Sequence, residues 1–63
     1  MSEPIPEIQS AYINVKQSIS NAQWAIIEWE EKNVDWPRVI ESIQWAIDDL
    51  ESAKAKVHRE LKK

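Results

Sequence analysis

The sequence predicts an all-α fold, an antiparallel hairpin of two long helices that assembles as a dimeric four-helix bundle. An internal repeat is the first observation behind this prediction. The segment Ile19–Ile26 returns as Ile40–Ile47, with identical residues at five of eight positions. The copies lie 21 residues apart, which is three heptads, so both keep one helical frame. The segment 33–37, Asn-Val-Asp-Trp-Pro, lies between them and is the clearest break in the pattern.

The small size of the chain is the reason for including a dimer in the prediction. The sequence has 63 residues, one His and no Cys, and we treat residues 1–63 as a single domain. Below roughly 70–80 residues, one hydrophobic core seldom supplies more than ~3–5 kcal/mol. Disulfides and a structural zinc site are excluded by composition. Association with a second copy is the stabilising device that remains.

Helix 1 is predicted to span 6–32, after a short lead of residues 1–5. Pro6 suits the first helical position, because its missing N–H would have no partner there in any case. Apolar residues then recur in alternating steps of three and four, which defines heptad positions a and d. These positions hold Ile5, Ile8, Tyr12, Val15, Ile19, Ala22, Ile26 and Trp29. Position g is small, with Ala11, Ser18 and Ala25, so the stripe is wide enough for contact with two neighbours.

The turn is predicted at residues 33–36. The sequence contains no Gly, so Asn33 is the best candidate for a left-handed residue that closes helix 1. Asp35 or Trp36 is then expected to cap helix 2, with Pro37 in its first turn. A connection this short makes the two helices antiparallel neighbours.

Helix 2 is predicted to span 37–61 in the same heptad frame. Position a holds Ile40, Ile47, Lys54 and Leu61. Position d holds Trp36, Ile43, Leu50 and Val57, and position g holds Val39, Ala46 and Ala53. Lys54 is the one polar residue in the a and d rows. In an antiparallel hairpin centred near residue 34, residue i lies level with about residue 69 − i. Ala22 is then level with Ile47, and such pairing of small with large residues lets layers interdigitate.

Charge and hydropathy limit the classes of function. The net charge is −3, divided as −3 in residues 1–34, −4 in residues 35–53 and +4 in residues 54–63. An acidic body argues against broad binding of phosphates. No apolar run approaches the ~20 residues of a membrane span, and the N-terminus lacks the basic start of a signal peptide. We therefore expect a cytoplasmic protein without a membrane partner.

Two tryptophans form the candidate interaction site. Trp24 and Trp45 both occupy position f, which faces away from the a and d rows. The relation that residue i is level with residue 69 − i, here called the level rule, places them at the same height. Ile13 and Ile27, at position b, extend the exposed apolar surface on helix 1. Such a patch is typical of a contact surface, either for self-association or for a partner protein. The alternative is a rotated frame, in which these tryptophans belong to the bundle core. In the unrotated frame, Trp29 and Trp36 are expected to be shielded.

The basic C-terminal end admits two interpretations. Its cations are Lys54, Lys56, Arg59, Lys62 and Lys63. They stabilise the negative end of the dipole of helix 2, and they are also the possible nucleic-acid contacts. The plan of a helical hairpin that dimerises resembles plasmid copy-number proteins of the Rop family, dimers that bind paired RNA. That resemblance covers the architecture and implies no role for any particular residue.

No catalytic, metal-binding or cofactor-binding residue is predicted. The acidic residues near the turn occupy positions that face water, and His58 has no Ser, Cys or Asp spaced to use it. A chain without Gly also lacks a phosphate-binding loop of the usual kind. The leading hypothesis is a non-enzymatic protein–protein interaction module, a small regulator or inhibitor that acts as a homo-oligomer. The alternatives are an RNA- or nucleotide-binding regulator and a purely structural oligomerisation unit.

Overall fold

The protein is an antiparallel hairpin of two α-helices in a computed structural model that describes residues 6–62. Helix α1 spans Pro6–Trp29 and helix α2 spans Trp36–Leu61, and the two pack against each other along their length. This confirms the two-helix hairpin of the predicted fold. The Cα atoms extend over 49 × 22 × 10 Å, so the hairpin is a single layer of two helices. The predicted lead and Lys63 lie outside the described residues.

Polar pairs between the helices confirm the predicted register. Asn21 donates a hydrogen bond to Asp49, and Arg38 forms an ion pair with Glu28. Both pairs agree to within three residues with the rule that residue i is level with residue 69 − i. The predicted position of the turn therefore gave the relative height of the two helices correctly.

Helix α1 ends at Trp29, three residues before the predicted end, and the connection is residues 30–35 rather than 33–36. The physical reason lies at position g, the row through which α1 contacts α2. After Ala25, the next residue in that row is Lys32, whose long charged side chain cannot continue a contact made by small residues. Two backbone hydrogen bonds follow the end of the helix, from the Glu30 N–H to the Ile26 carbonyl and from the Glu31 N–H to the Glu28 carbonyl.

The predicted capping of the turn is correct in position and wrong in chemistry. No residue in the range 6–62 has a positive φ, so Asn33 is not left-handed, and the longer connection reverses the chain without such a residue. Asp35 is the N-cap of α2, but its side chain makes no capping hydrogen bond. Its backbone carbonyl accepts the N–H groups of Arg38 and Val39 instead. Helix α2 begins at Trp36, one residue before the predicted start.

The contact between the helices is built from small side chains. Its buried residues are Ala11, Ser18 and Ala25 on α1 and Val39, Ser42, Ala46 and Ala53 on α2. All except Ser42 occupy position g of the predicted frame. Small residues let two helix axes approach closely, because interaxial distance follows the side chains at the contact. The intrachain core is therefore the g row, and the larger a and d rows lie beside it.

Trp29 and Trp36 were predicted to be shielded within the hairpin, and this prediction is wrong. They are 56% and 49% exposed. Contact through the g row turns position d toward solvent, and the contact between the two rings leaves about half of each residue exposed. They meet edge to face, with centroids 5.1 Å apart and planes at 88°.

Enlarging one residue of the g row should separate the helices. Ala53 is 4% exposed, and we expect Ala53→Leu to destabilise the protein by about 1–3 kcal/mol, because overpacking displaces the facing helix. Ala55→Leu is the matched control, since it makes the same change on the exposed side of α2 and should stay within about 0.5 kcal/mol. Urea unfolding of both variants measures the difference. Equal midpoints would contradict the assignment of the core.

Candidate functional site

The hairpin has two unlike faces, and the first is apolar. We use the term apolar face for the side formed by the large residues of positions a and d. Its members are 38–77% exposed and comprise Ile8, Tyr12, Val15, Ile19, Ile26, Trp29, Trp36, Ile40, Ile43, Ile47, Leu50, Val57 and Leu61. Rows from both helices flank a shallow groove whose floor includes Ala25 and Ala46 of the g row. The apolar face therefore runs over both helices as one continuous surface.

The edges of the apolar face are polar. Lys54 adjoins Val57 and Leu61 near the open end of the hairpin, opposite the turn. On α1, the Lys16 ammonium lies 5.3 Å from the centre of the Tyr12 ring, within range of a cation–π contact. These cations border a surface that is otherwise made of aliphatic and aromatic carbon.

The opposite side, which we call the polar face, carries side-chain bonds between the helices. The Asn21 amide donates to a carboxylate oxygen of Asp49 at 2.8 Å. The Lys56 ammonium donates to the Ser10 hydroxyl and to the Asn14 carbonyl oxygen, at 2.7 Å each. These bonds use the polar groups of this face within one chain. The polar side chains of this face therefore have hydrogen-bond partners on the other helix, whereas the side chains of the apolar face are largely exposed.

Two of the basic C-terminal residues, Lys56 and Arg59, are bonded to α1. Arg59 donates from two nitrogens to a carboxylate oxygen of Glu7, at 2.8 and 3.2 Å, and Lys56 is bonded to α1. Lys62 is the exposed C-cap of α2, and Lys63 lies outside the described residues. Lys54 lies on the edge of the apolar face. Lys54, Arg59 and Lys62 nevertheless line one shallow depression on α2 together with His58 and Glu51.

Trp24 and Trp45 lie on the polar side of the hairpin, one on each helix, and line one shallow depression. They are 58% and 51% exposed. Ile27, which is 50% exposed, follows Trp24 by three residues and is its neighbour on the helix surface. Ile13 is also exposed, but it lies eleven residues before Trp24, about 16 Å along the axis. The structure therefore brings together Trp24 and Trp45, and helical spacing places Ile27 beside Trp24. We call these three, Trp24, Ile27 and Trp45, the tryptophan surface.

Charged residues that heptad periodicity does not single out complete the depression. Glu28, Arg38 and Glu41 line it together with the two tryptophans. Arg38 and Glu28 form an ion pair at 3.4 Å, in which the Glu28 side chain is only 17% exposed. Applying the level rule to charged as well as apolar residues would have located this group, because Glu28 is level with Glu41.

Metal binding and membrane insertion find no support among the described residues. Within residues 6–62, no group of three or more His, Asp and Glu side chains could hold a metal ion. Neither helix in this range combines the length and the hydropathy needed to span a bilayer. Comparison of the chain with protein-family models, with curated proteins and with solved structures gave no significant match.

Proposed function

We propose that the protein is a non-enzymatic protein-interaction module, a small regulator or inhibitor that acts as a homodimer. The apolar faces of two hairpins stack to form an antiparallel four-helix bundle. Each chain then presents its tryptophan surface on the outside of the bundle to a partner protein. The observation that carries the proposal is the apolar face, where thirteen large side chains are at least 38% exposed on one side of a two-helix layer.

The size of the apolar face supports its role as an interface. A half-exposed Ile, Leu or Trp side chain leaves roughly 80–150 Å² accessible, so the thirteen side chains amount to on the order of 1,000 Å². Soluble monomers rarely expose a contiguous apolar patch above about 300–600 Å². A stable dimer buries about 800 Å² per partner. The face is thus too large for a typical monomer surface and large enough for a dimer.

Two features of the hairpin support a second copy of the chain as the occupant of the apolar face. Domains are normally built from two packed layers around one core, and this hairpin supplies one layer with a contact of Ala, Ser and Val side chains. A two-helix hairpin with a core of small side chains and no disulfide needs additional apolar burial to be stable. Twofold symmetric homodimers are the commonest way for a soluble protein to obtain it.

The polar face fits the outside of such a bundle. Its side chains already bond across the hairpin, from Lys56 to Ser10 and Asn14 and from Asn21 to Asp49. Covering these charged groups would cost desolvation energy without offering them better partners. The tryptophan surface lies on this side and therefore remains accessible after dimerisation.

Light scattering at micromolar concentration tests the dimer. We expect twice the 7.4 kDa chain mass, together with a melting temperature that rises with protein concentration, because unfolding is coupled to dissociation. A helical monomer whose melting is independent of concentration would contradict the proposed dimer.

A further inference from the structure

We propose that the tryptophan surface docks a basic segment of the partner protein, and that an Arg or Lys side chain of this segment inserts between the indole rings of Trp24 and Trp45. This docking site rests on the proposed function, because it specifies the chemistry of the partner in that protein–protein interaction. The occupant is a cationic side chain on a protein, and the inference follows from the walls of the depression and from its charge.

Aromatic surface forms the walls of the depression. Trp24 on α1 and Trp45 on α2 both line it, and each leaves more than half of its residue surface in solvent. The aromatic ring pair in contact within residues 6–62 is Trp29–Trp36, on the apolar face. Trp24 and Trp45 form no such pair within these residues, and their exposed surface is accessible to a ligand. Trp is the side chain whose ring face attracts cations most strongly.

Negative charge surrounds these walls. Glu28 and Glu41 line the depression, and the single cation there, Arg38, is paired with Glu28. The Glu41 carboxylate has no ion pair within residues 6–62. The turn half of the hairpin, residues 18–50, carries a net charge of −5. This field steers basic partners toward the depression and repels acidic ones.

An Arg side chain satisfies both features of the depression at once. Its planar guanidinium stacks on an indole ring and presents N–H donors in the geometry of a carboxylate, so it can use Trp45 and Glu41 together. An apolar occupant would cover the ring faces but would leave the Glu41 carboxylate desolvated without a partner. A nucleic acid would bring phosphates to the most acidic half of the molecule.

A peptide titration followed by NMR tests the site in the intact protein. The probe is an acetylated and amidated hexapeptide with two arginines among alanines, and the control peptide replaces both arginines with citrulline, which is neutral and nearly isosteric. We expect saturable shifts of the indole N–H signals of Trp24 and Trp45, with the signals of Trp29 and Trp36 unchanged. The citrulline peptide should bind roughly tenfold more weakly.

Two charge-matched variants separate a specific site from general attraction. Glu41→Gln removes a carboxylate that lines the depression, whereas Glu51→Gln removes one from a different part of α2. We expect Glu41→Gln to weaken binding of the arginine peptide roughly threefold or more, and Glu51→Gln to change it little. A third variant, Trp45→Leu, should abolish the saturable shift of Trp24.

Three results would overturn the docking site. They are equal affinity for the two peptides, equal weakening by the two Glu→Gln variants, and stationary Trp24 and Trp45 signals at millimolar peptide. Light scattering on the same samples reports the dimer independently. If the protein is a dimer and shows any of these three results, the cationic partner is rejected and the proposed dimer is retained. A monomer would contradict the proposed dimer.

Discussion

Replacing Ile26 by Asp should dissociate the dimer and melt most of the helix. In the isolated hairpin this side chain is 57% exposed, so a carboxylate there would remain largely hydrated. In the bundle, the same carboxylate would be buried against a second copy without a partner. Uncompensated buried charge commonly costs about 3–5 kcal/mol, and each dimer would carry two such charges. A small protein of marginal stability cannot sustain that loss. Circular dichroism and sedimentation at one concentration measure both effects.

Ile13→Asp is the matched control for this prediction. Ile13 is on the same helix and is 49% exposed, but it lies away from the apolar face. Its substitution should leave both mass and helicity unchanged, as surface changes usually stay within about 0.5 kcal/mol. The milder variant Ile26→Ala should cost roughly 2–5 kcal/mol if a second copy buries the residue. If Ile26→Asp and Ile13→Asp behave alike, the apolar face is not the interface.

The two pairs of tryptophans should respond in opposite ways to the same double substitution. Changing Trp29 and Trp36 to Gln removes the edge-to-face pair from the apolar face, and we expect a loss of roughly 3–5 kcal/mol per chain with dissociation of the dimer. Changing Trp24 and Trp45 to Gln should leave melting and mass nearly intact. The residues are otherwise matched, because all four are 49–58% exposed in the hairpin. Thermal unfolding and light scattering record the difference.

The outcome for Trp24 and Trp45 also separates the uses of their surface. Loss of mass with intact helix would make the tryptophan surface a self-association interface and would contradict dimerisation through the apolar face. With mass and helix both intact, binding to the partner should fall by more than ~2 kcal/mol, the usual effect of truncating a central interface Trp.

Heptad periodicity was sufficient to predict the two helices, and the position of the turn predicted their relative height. The three-heptad repeat places both helices in one frame, and a hairpin centred near residue 34 puts Asn21 near Asp49, as the structure has it. It also predicts that Trp24 and Trp45 are exposed, because position f faces away from the a, d and g stripe. These features depend on helical geometry and on the position of the turn, and both can be read from the spacing of residues in the sequence.

The heptad spacing could not predict which row of residues contacts the other helix of the same chain. A stripe formed by a, d and g touches two neighbours, and the sequence does not say which of them belongs to the same chain. The small g row, with Ala25 and Ala46, proves to be the intrachain contact, so Trp29 and Trp36 are exposed rather than shielded. A row of small residues beside a row of large ones is the signal that favours this arrangement.

The turn and the charged part of the site depend on local geometry that periodicity does not encode. The early end of α1 follows from Lys32 entering the g row, a conflict that becomes visible only once that row is known to be the contact. The Glu28–Arg38 pair bridges two helices and therefore required the register as well as the charges. Both features could be derived in a second pass, after the contact row had been assigned.

In the proposed dimer a second copy covers the apolar face, and intermolecular contacts between methyl groups test this arrangement most directly. A mixture of isotopically labelled and unlabelled chains allows nuclear Overhauser effects between chains to be recorded selectively. We predict intermolecular contacts from the methyl groups of Ile19, Ile26 and Ile47, with none from Ile13. Contacts that involve Ile13, Trp24 or Trp45 instead, or no contacts between chains in a fully helical sample, would contradict the proposed dimer.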